Sequence, residues 1–295
     1  MSQLICKNLL VGYEGKAILD PLNFEIHAGG YLCVVGENGA GKSTLMKMLC
    51  TLLRPTSGQI TYNGKNIQFM QDKYRDVLGY LPQDFGFYPD LTVKEYLLYI
   101  ASIKGIQQKE AKRRVKILIA KVGLEKVANR KMKKLSGGMQ RRAGIAQAML
   151  NNPRVLILDE PTAGLDPNER VRFRNLISEL AEDRLVLLST HIVSDVEYIA
   201  NEILLMKDGR ILQHGTSEQI IQSMNEHVWK CYVEKKEVPY MMKQYKISNL
   251  KNEGSKVELR IISKQMPHQS ATLEQANLED VFLNYFGEMA GDYNA

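Results

Sequence analysis

The sequence predicts an α/β fold with a small α+β domain appended at its C-terminal end, on three observations. The apolar run Leu32–Val35 leads into Gly36-Glu37-Asn38-Gly39-Ala40-Gly41-Lys42-Ser43-Thr44, after which Leu45, Met46, Met48 and Leu49 recur at helical spacing. Two further runs, Val155–Leu158 and Leu185–Leu188, are apolar throughout, short, and followed by helix starts, as buried parallel strands are. Near Asn225 the alternation gives way to shorter strand and helix signals. The chain of 295 residues therefore divides at 224/225, with a helical insert over about 87–150 in the first part.

Composition narrows the functional classes. A formal charge of +6 is mild, suiting a polyphosphate ligand or an anionic membrane face but too diffuse to argue nucleic acid. The four cysteines are scattered without a C-x-x-C pair, so they read as reduced, mostly buried thiols. No apolar run reaches the ~18 residues of a membrane span. The segment Met1-Ser2-Gln3-Leu4 lacks the basic and apolar regions of a signal peptide, so a cytoplasmic location is expected.

In order along the chain, Leu4–Leu10 and Ile18–Ile26 are strand-like. Tyr13 lies on the turn between them, either as a turn aromatic or as a flat face for an adenine base. The G-x-x-x-x-G-K-S stretch after Val35 has the strand–loop–helix context of a phosphate-binding loop. Gly36, Gly39 and Gly41 allow tight backbone, Lys42 would reach the β- and γ-phosphates, and Ser43 would hold Mg²⁺. Gln59–Tyr62, Asn63-Gly64 and Lys65–Phe69 read as a hairpin, followed by a strand at Val77–Pro82 and a loop at Gln83–Pro89. Thr92-Val93-Lys94-Glu95 is a capping box opening a helix to about Lys104. A second helix, about Lys109–Val122, carries Arg113, Arg114 and Lys116. They read as a solvated face, with contact to lipid headgroups as the alternative.

Ser136 N-caps a helix that begins with Gly137 and Gly138, whose bare backbone N–H groups make a second anion site or simply an ordinary capped start. Asp159-Glu160 closes the strand Val155–Leu158, and strand alternation would aim one carboxylate at Mg²⁺ and the next at a water. Asp166-Pro167-Asn168-Glu169 opens the next helix. Leu185–Leu188 ends in Ser189-Thr190-His191, which places His191 at the ligand-binding edge of a parallel sheet. Ile203–Met206 and Arg210–Gln213 form a hairpin, and a helix near Ser217–Met224 precedes the appended domain. That domain reads as strand Val228–Val233, helix Pro239–Tyr245, hairpin Lys246–Ser263 and helix Leu278–Glu288 with the stripe Val281, Phe282, Tyr285, Phe286.

Taken together, residues 2–224 resemble the ATP-binding-cassette (ABC) ATPases. Tyr13 matches the adenine-stacking aromatic, Gly36–Thr44 Walker A, Gln83 the glutamine loop, Leu135–Gln140 the signature, Val155–Glu160 Walker B, Ala163–Asp166 the D-loop and His191 the switch histidine. Met139 departs from the Gln of many members, implying a tuned contact with ATP. Phe87–Leu97 and Leu278–Leu283 are further similar to the ATPase subunits of ABC-2-type exporters.

The resemblance implies a P-loop NTPase core of the ABC type with a helical subdomain and an antiparallel β subdomain. It implies two cassettes, identical or sister chains, stacked head to tail around two ATP molecules and driving a separate integral-membrane permease at the cytoplasmic face. Nucleotide contacts fall to Tyr13, Gly36, Asn38, Gly39, Ala40, Gly41, Lys42, Ser43 and Thr44. Ser136, Gly137, Gly138 and Asp166 would act from the opposite chain. Mg²⁺ falls to Ser43, Gln83 and Asp159. Glu160 would be general base, assisted by His191, Gln83 and Lys42. A soluble cassette ATPase acting on nucleic acid or the ribosome is the alternative, disfavoured by the single Walker A and the ordinary Lys42–Ser136 spacing.

Overall fold

The computed structural model describes residues 2–13, 16–181, 183–224 and 226–287. The chain forms two compact units, Met1–His214 and Gly215–Ala295. In the first, β1 (Gln3–Tyr13) and β2 (Lys16–His27) pair antiparallel, with Leu4 opposite Ile26 and Cys6 opposite Phe24. β3 (Tyr31–Val35) runs into the glycine-rich loop and α1 (Lys42–Leu49). β4 (Ser57–Tyr62) pairs with the other edge of β1, and β5 is only Lys65–Asn66. The expected strand Lys65–Phe69 is thus cut short. The Asn66 side chain accepts from Gln68 N and starts α2 (Ile67–Met70), which buries Ile67 completely.

α3 (Asp72–Arg75) leads to β6 (Leu78–Leu81), and the helical insert follows. It comprises α4 (Val93–Ile103), with its capping box formed as expected, α5 (Gln108–Lys121) and α6 (Gly137–Ala148). β7 (Val155–Asp159), α7 (Pro167–Ala181), β8 (Leu185–Thr190), α8 (Val193–Ile199), β9 (Glu202–Lys207) and β10 (Arg210–Gly215) complete the pattern. β10 turns back on β9 through Asp208-Gly209, both at the positive φ (47° and 77°) that a type I′ turn requires.

The central sheet has the order β10-β9-β3-β8-β7-β6, with parallel pairing from β9 through β6. Every residue of β7 and β8 is buried, which explains their unbroken apolar runs. One face of this sheet (Leu32, Val34, Ile157, Leu187, Leu204) shares a core with Leu45, Met46, Met48 and Leu49 of α1. The same core takes in Leu4, Cys6, Leu22 and Ile60 of the antiparallel sheet β2-β1-β4-β5. The helix after the glycine-rich loop is therefore clamped between two sheets, and its N-terminus is held rigidly at the C-terminal ends of β3, β7 and β8.

In the second unit α9 (Ser217–Gln222), β11 (His227–Glu234), α10 (Val238–Gln244), β12 (Lys246–Glu253), β13 (Lys256–Ser263), β14 (Thr272–Glu274) and α11 (Leu278–Phe286) form a four-stranded sheet, β12-β13-β11-β14, with its own core. Cys231, Val233, Leu259 and Ile261 line that core, and Met241 closes it from α10. The three-residue β14 was not expected. The unit begins ten residues before the expected boundary because α9 packs on α11. Glu288, the expected end of the last helix, lies outside the described residues.

Candidate active site

Gly41, in left-handed backbone at φ 97°, is the residue before α1, and no side chain caps the helix. A Cβ on Gly41 would meet Leu19 Cδ2 at 2.4 Å, so β2 packs directly on the loop, and the φ of 97° is what favours glycine there. The uncapped N–H groups of the first turn and the positive helix end are suited to an anion. Lys42, 5 % exposed, donates to the carbonyls of Gly36 (2.8 Å) and Glu37 (2.9 Å). Asn38, Gly39, Gly41, Lys42, Ser43 and Thr44 line a cavity of about 320 Å³ with Ile18, Gln83 and Glu160. Gly36 and Ala40 are buried beneath the loop.

Two acidic side chains lie where β7 ends, Asp159 as its last residue and Glu160 just beyond it. Asp159 is 2 % exposed and accepts from Ser43 Oγ (3.2 Å) and Ser189 Oγ (2.5 Å). Among the described residues no ion pair reaches Asp159, whose buried carboxyl meets two hydroxyls, an oxygen set that suits a hard divalent ion. Glu160 is 3 % exposed. Its Oε2 accepts from His191 Nδ1 at 2.8 Å, and its Oε1 faces Lys42 Nζ at 3.3 Å, an ion pair without hydrogen-bond geometry. Strand alternation does not set its direction, contrary to the sequence expectation. Glu160 leaves the strand at φ 46°, in left-handed backbone, and Ser189 Oγ accepts its N–H at 2.8 Å.

Ser189 therefore organises both carboxylates, a role that sequence reasoning missed. Its signal was present: Ser189-Thr190 breaks an apolar strand at the same level as Asp159, and the register pairs Asp159 with Ser189. His191 is half-exposed, and its Nδ1 bonds to Glu160, leaving Nε2 for a ligand.

Ser136, Gly137, Gly138 and Asp166 do not line the phosphate-loop cavity. The Ser136 side chain accepts from Met139 N and caps α6, and Asp166 Oδ1 accepts from Glu169 N (2.9 Å) and starts α7. Gly137 lines a separate cavity of about 470 Å³ with Gln83, Phe85, Gln140, Arg141 and the D-loop residues Ala163–Leu165. Gln83 alone lines both. Burial holds the Arg141 guanidinium below its ordinary value, with nearby acids opposing, and its Nη1 donates to Pro82 O (3.2 Å), tying α6 to the glutamine loop.

A second tie was also missed. A Cβ on Gly138 would strike the Glu169 carboxylate at 2.7 Å, and that carboxylate pairs with Arg142 Nε (3.3 Å). Arg142 in turn donates to the carbonyls of Val122 and Gly123, so signature helix, D-loop helix and α5 are locked together. Tyr13 ends β1, but its side chain lies outside the described ones.

Among the described residues no helix is long and apolar enough to cross a membrane. The ABC transporter family profile matches residues 19–163. An ABC transporter ATP-binding protein of Bacillus subtilis, YxlF, is 33 % identical over 233 residues, covering 79 % of this chain and 77 % of that one. The Nod factor export ATP-binding protein I of Burkholderia thailandensis is 37 % identical over 212 residues, covering 72 % and 70 %. A dimeric ATP-binding cassette solved in a post-hydrolysis state with ADP and Pi superposes with a TM-score of 0.65 at 27 % identity, covering 72 % of this chain and 98 % of that one. These likenesses favour transport over the nucleic-acid or ribosome alternative. With its phosphate loop, paired carboxylates and signature helix on that fold, the chain belongs to the ABC transporter family as an ATP-binding, ATP-hydrolysing subunit.

Proposed function

We propose that this ATPase energises an ABC-2-type exporter, working as one of two cassettes stacked head to tail on a separate integral-membrane permease at the cytoplasmic face. One observation carries the reading. A single chain carries two glycine-bearing helix starts, those of α1 and α6, that line different cavities sharing Gln83 alone. A second cassette would bring its α6 start to the first chain's α1 start, completing a polyphosphate cage from backbone N–H groups.

In this reading ATP competes with the Gly36 and Glu37 carbonyls for Lys42, whose ammonium then moves onto the phosphates. Tyr13 stacks on adenine, and Ser136, Gly137, Gly138 and Asp166 act from the opposite chain. Ser43, Asp159 and Gln83 would hold Mg²⁺, which neutralises charge developing on the phosphate oxygens. Once Lys42 is drawn to phosphate, Glu160 Oε1 is free to take a proton from the attacking water. His191 keeps hold of Oε2 and so orients the base. The work is positioning and electrostatics throughout.

The test is to capture the tagged Glu160→Gln chain with ATP from detergent-solubilised native membranes and identify what accompanies it. A stoichiometric polytopic protein supports the reading. Recovery of the cassette alone, or with ribosomes or nucleic acid, overturns it.

A further inference from the structure

The basic run on α5 has no part in the nucleotide site, yet it is not simply a solvated face. Arg113, Arg114 and Lys121 of α5 and Arg184 ahead of β8 line a cavity of about 240 Å³. Positions 114, 117, 118 and 121 recur at helical spacing, so one side of α5 faces this cavity.

The three arginines are held in place but incompletely neutralised. Glu110 accepts from Arg113 (2.8 and 2.7 Å) and from Arg114 (2.7 Å), and both arginines hold its carboxyl down at about 2. It is the one carboxylate paired with the four cations among the described residues. Arg114 also donates to Leu150 O (2.8 Å). Arg184 is held by neutral acceptors, Pro153 O (3.0 Å), Leu180 O (2.5 Å) and Asn152 Oδ1 (2.8 Å). Neutral acceptors immobilise a guanidinium without cancelling its charge, so the four cations lining the cavity outnumber the one carboxylate that pairs with them directly, with Asp183 acting on Arg184 only at longer range. Desolvation, with the like charge of Arg154 second, holds Arg184 below its ordinary value, and the carboxylate of Asp183 opposes the shift only in part. Ile117, half exposed, and Met149 supply an apolar wall beside the cations.

We propose that this cleft binds a phosphate ester. A phosphoryl group offers a multiply charged tetrahedral acceptor for guanidinium forks and a lysine, and the apolar wall takes the esterified substituent. A lipid headgroup and a soluble phosphate compound share that chemistry. The cleft shares no lining residue with the phosphate-loop cavity.

The test uses the full chain carrying Lys42→Ala, which removes the phosphate loop's own affinity. Glycerol 3-phosphate is titrated by calorimetry, and vesicles of phosphatidylglycerol in phosphatidylcholine are sedimented with the protein. Arg113→Ala with Lys121→Ala removes two exposed cations, Ile117→Asp places a negative charge at the rim, and Lys109→Ala with Lys112→Ala removes cations elsewhere on α5.

Binding of either probe that weakens roughly tenfold or more in the first two variants, and is kept in the third, supports the cleft. Vesicles alone would point to a headgroup, glycerol 3-phosphate alone to a soluble ester. No binding of either probe, or equal loss in all three variants as a diffuse positive field would give, overturns it.

Discussion

Glu160 is a carboxylate with both oxygens engaged, one by His191 and one by Lys42, on backbone that only an external tether makes tolerable. Glu160→Gln preserves the shape and the Ser189 bond to the backbone but cannot take a proton. ATP binding should persist while phosphate release falls by roughly 10²–10⁴-fold. Undiminished turnover in that variant would remove Glu160 from the role of base. Ser189→Ala tests the tether. It strips a donor from the buried Asp159 and an acceptor from Glu160 N, costing about 1–3 kcal/mol of stability. Turnover should fall and the Mg²⁺ concentration for half-maximal rate should rise, because Asp159 and Ser43 lose their fixed separation. A stable, fully active Ser189→Ala chain with the parental Mg²⁺ dependence would show that the tether is dispensable.

Between elements, the contact that matters for the proposed pairing of cassettes is α6 against α7. Glu169 fills the space that Gly138 leaves open and grips Arg142, so the signature amides and the D-loop move as one block. Glu169→Gln keeps the volume and loses the charge. Turnover should drop several-fold while the affinity of the isolated chain for nucleotide, measured by fluorescent ATP binding, stays at the parental value. A parallel loss of both would mean general loosening of the fold. At the other end of the helical insert, Thr92 and Glu95 exchange bonds (Glu95 N to Thr92 Oγ1 at 3.2 Å, Thr92 N to Glu95 Oε2 at 2.9 Å). Thr92→Ala should cost about 1 kcal/mol in denaturant melts, with the phosphate loop unaffected.

For the whole molecule, the two units have separate cores, so ending the chain after His214 should leave a folded protein that binds ATP. An unfolded product would overturn the division at 214/215. All four cysteines are buried, and burial pushes their thiols up, Cys33 to about 12. A thiol-titrating reagent should therefore find essentially none in the native chain and all four after denaturation; rapid reaction in the native state would contradict the packing.

The phosphate loop, the capped helix starts and the wholly apolar strands were legible in the sequence because each is a local pattern, written in consecutive residues and decided by backbone freedom, capping or periodicity. Local pattern misled at Lys65–Phe69, where Asn66 capped a helix, and at Glu160, where positive φ overrode alternation. Ser189 with Asp159, Glu169 with Gly138 and Arg142, Lys42 with Glu160, and the cations around the α5 cleft lie far apart in the chain. They meet only through parallel register and helix packing. The sequence by itself determined what chemistry each segment carries; the tertiary structure decided which segments share it, because long-range contacts follow from how the sheets and helices close on one another.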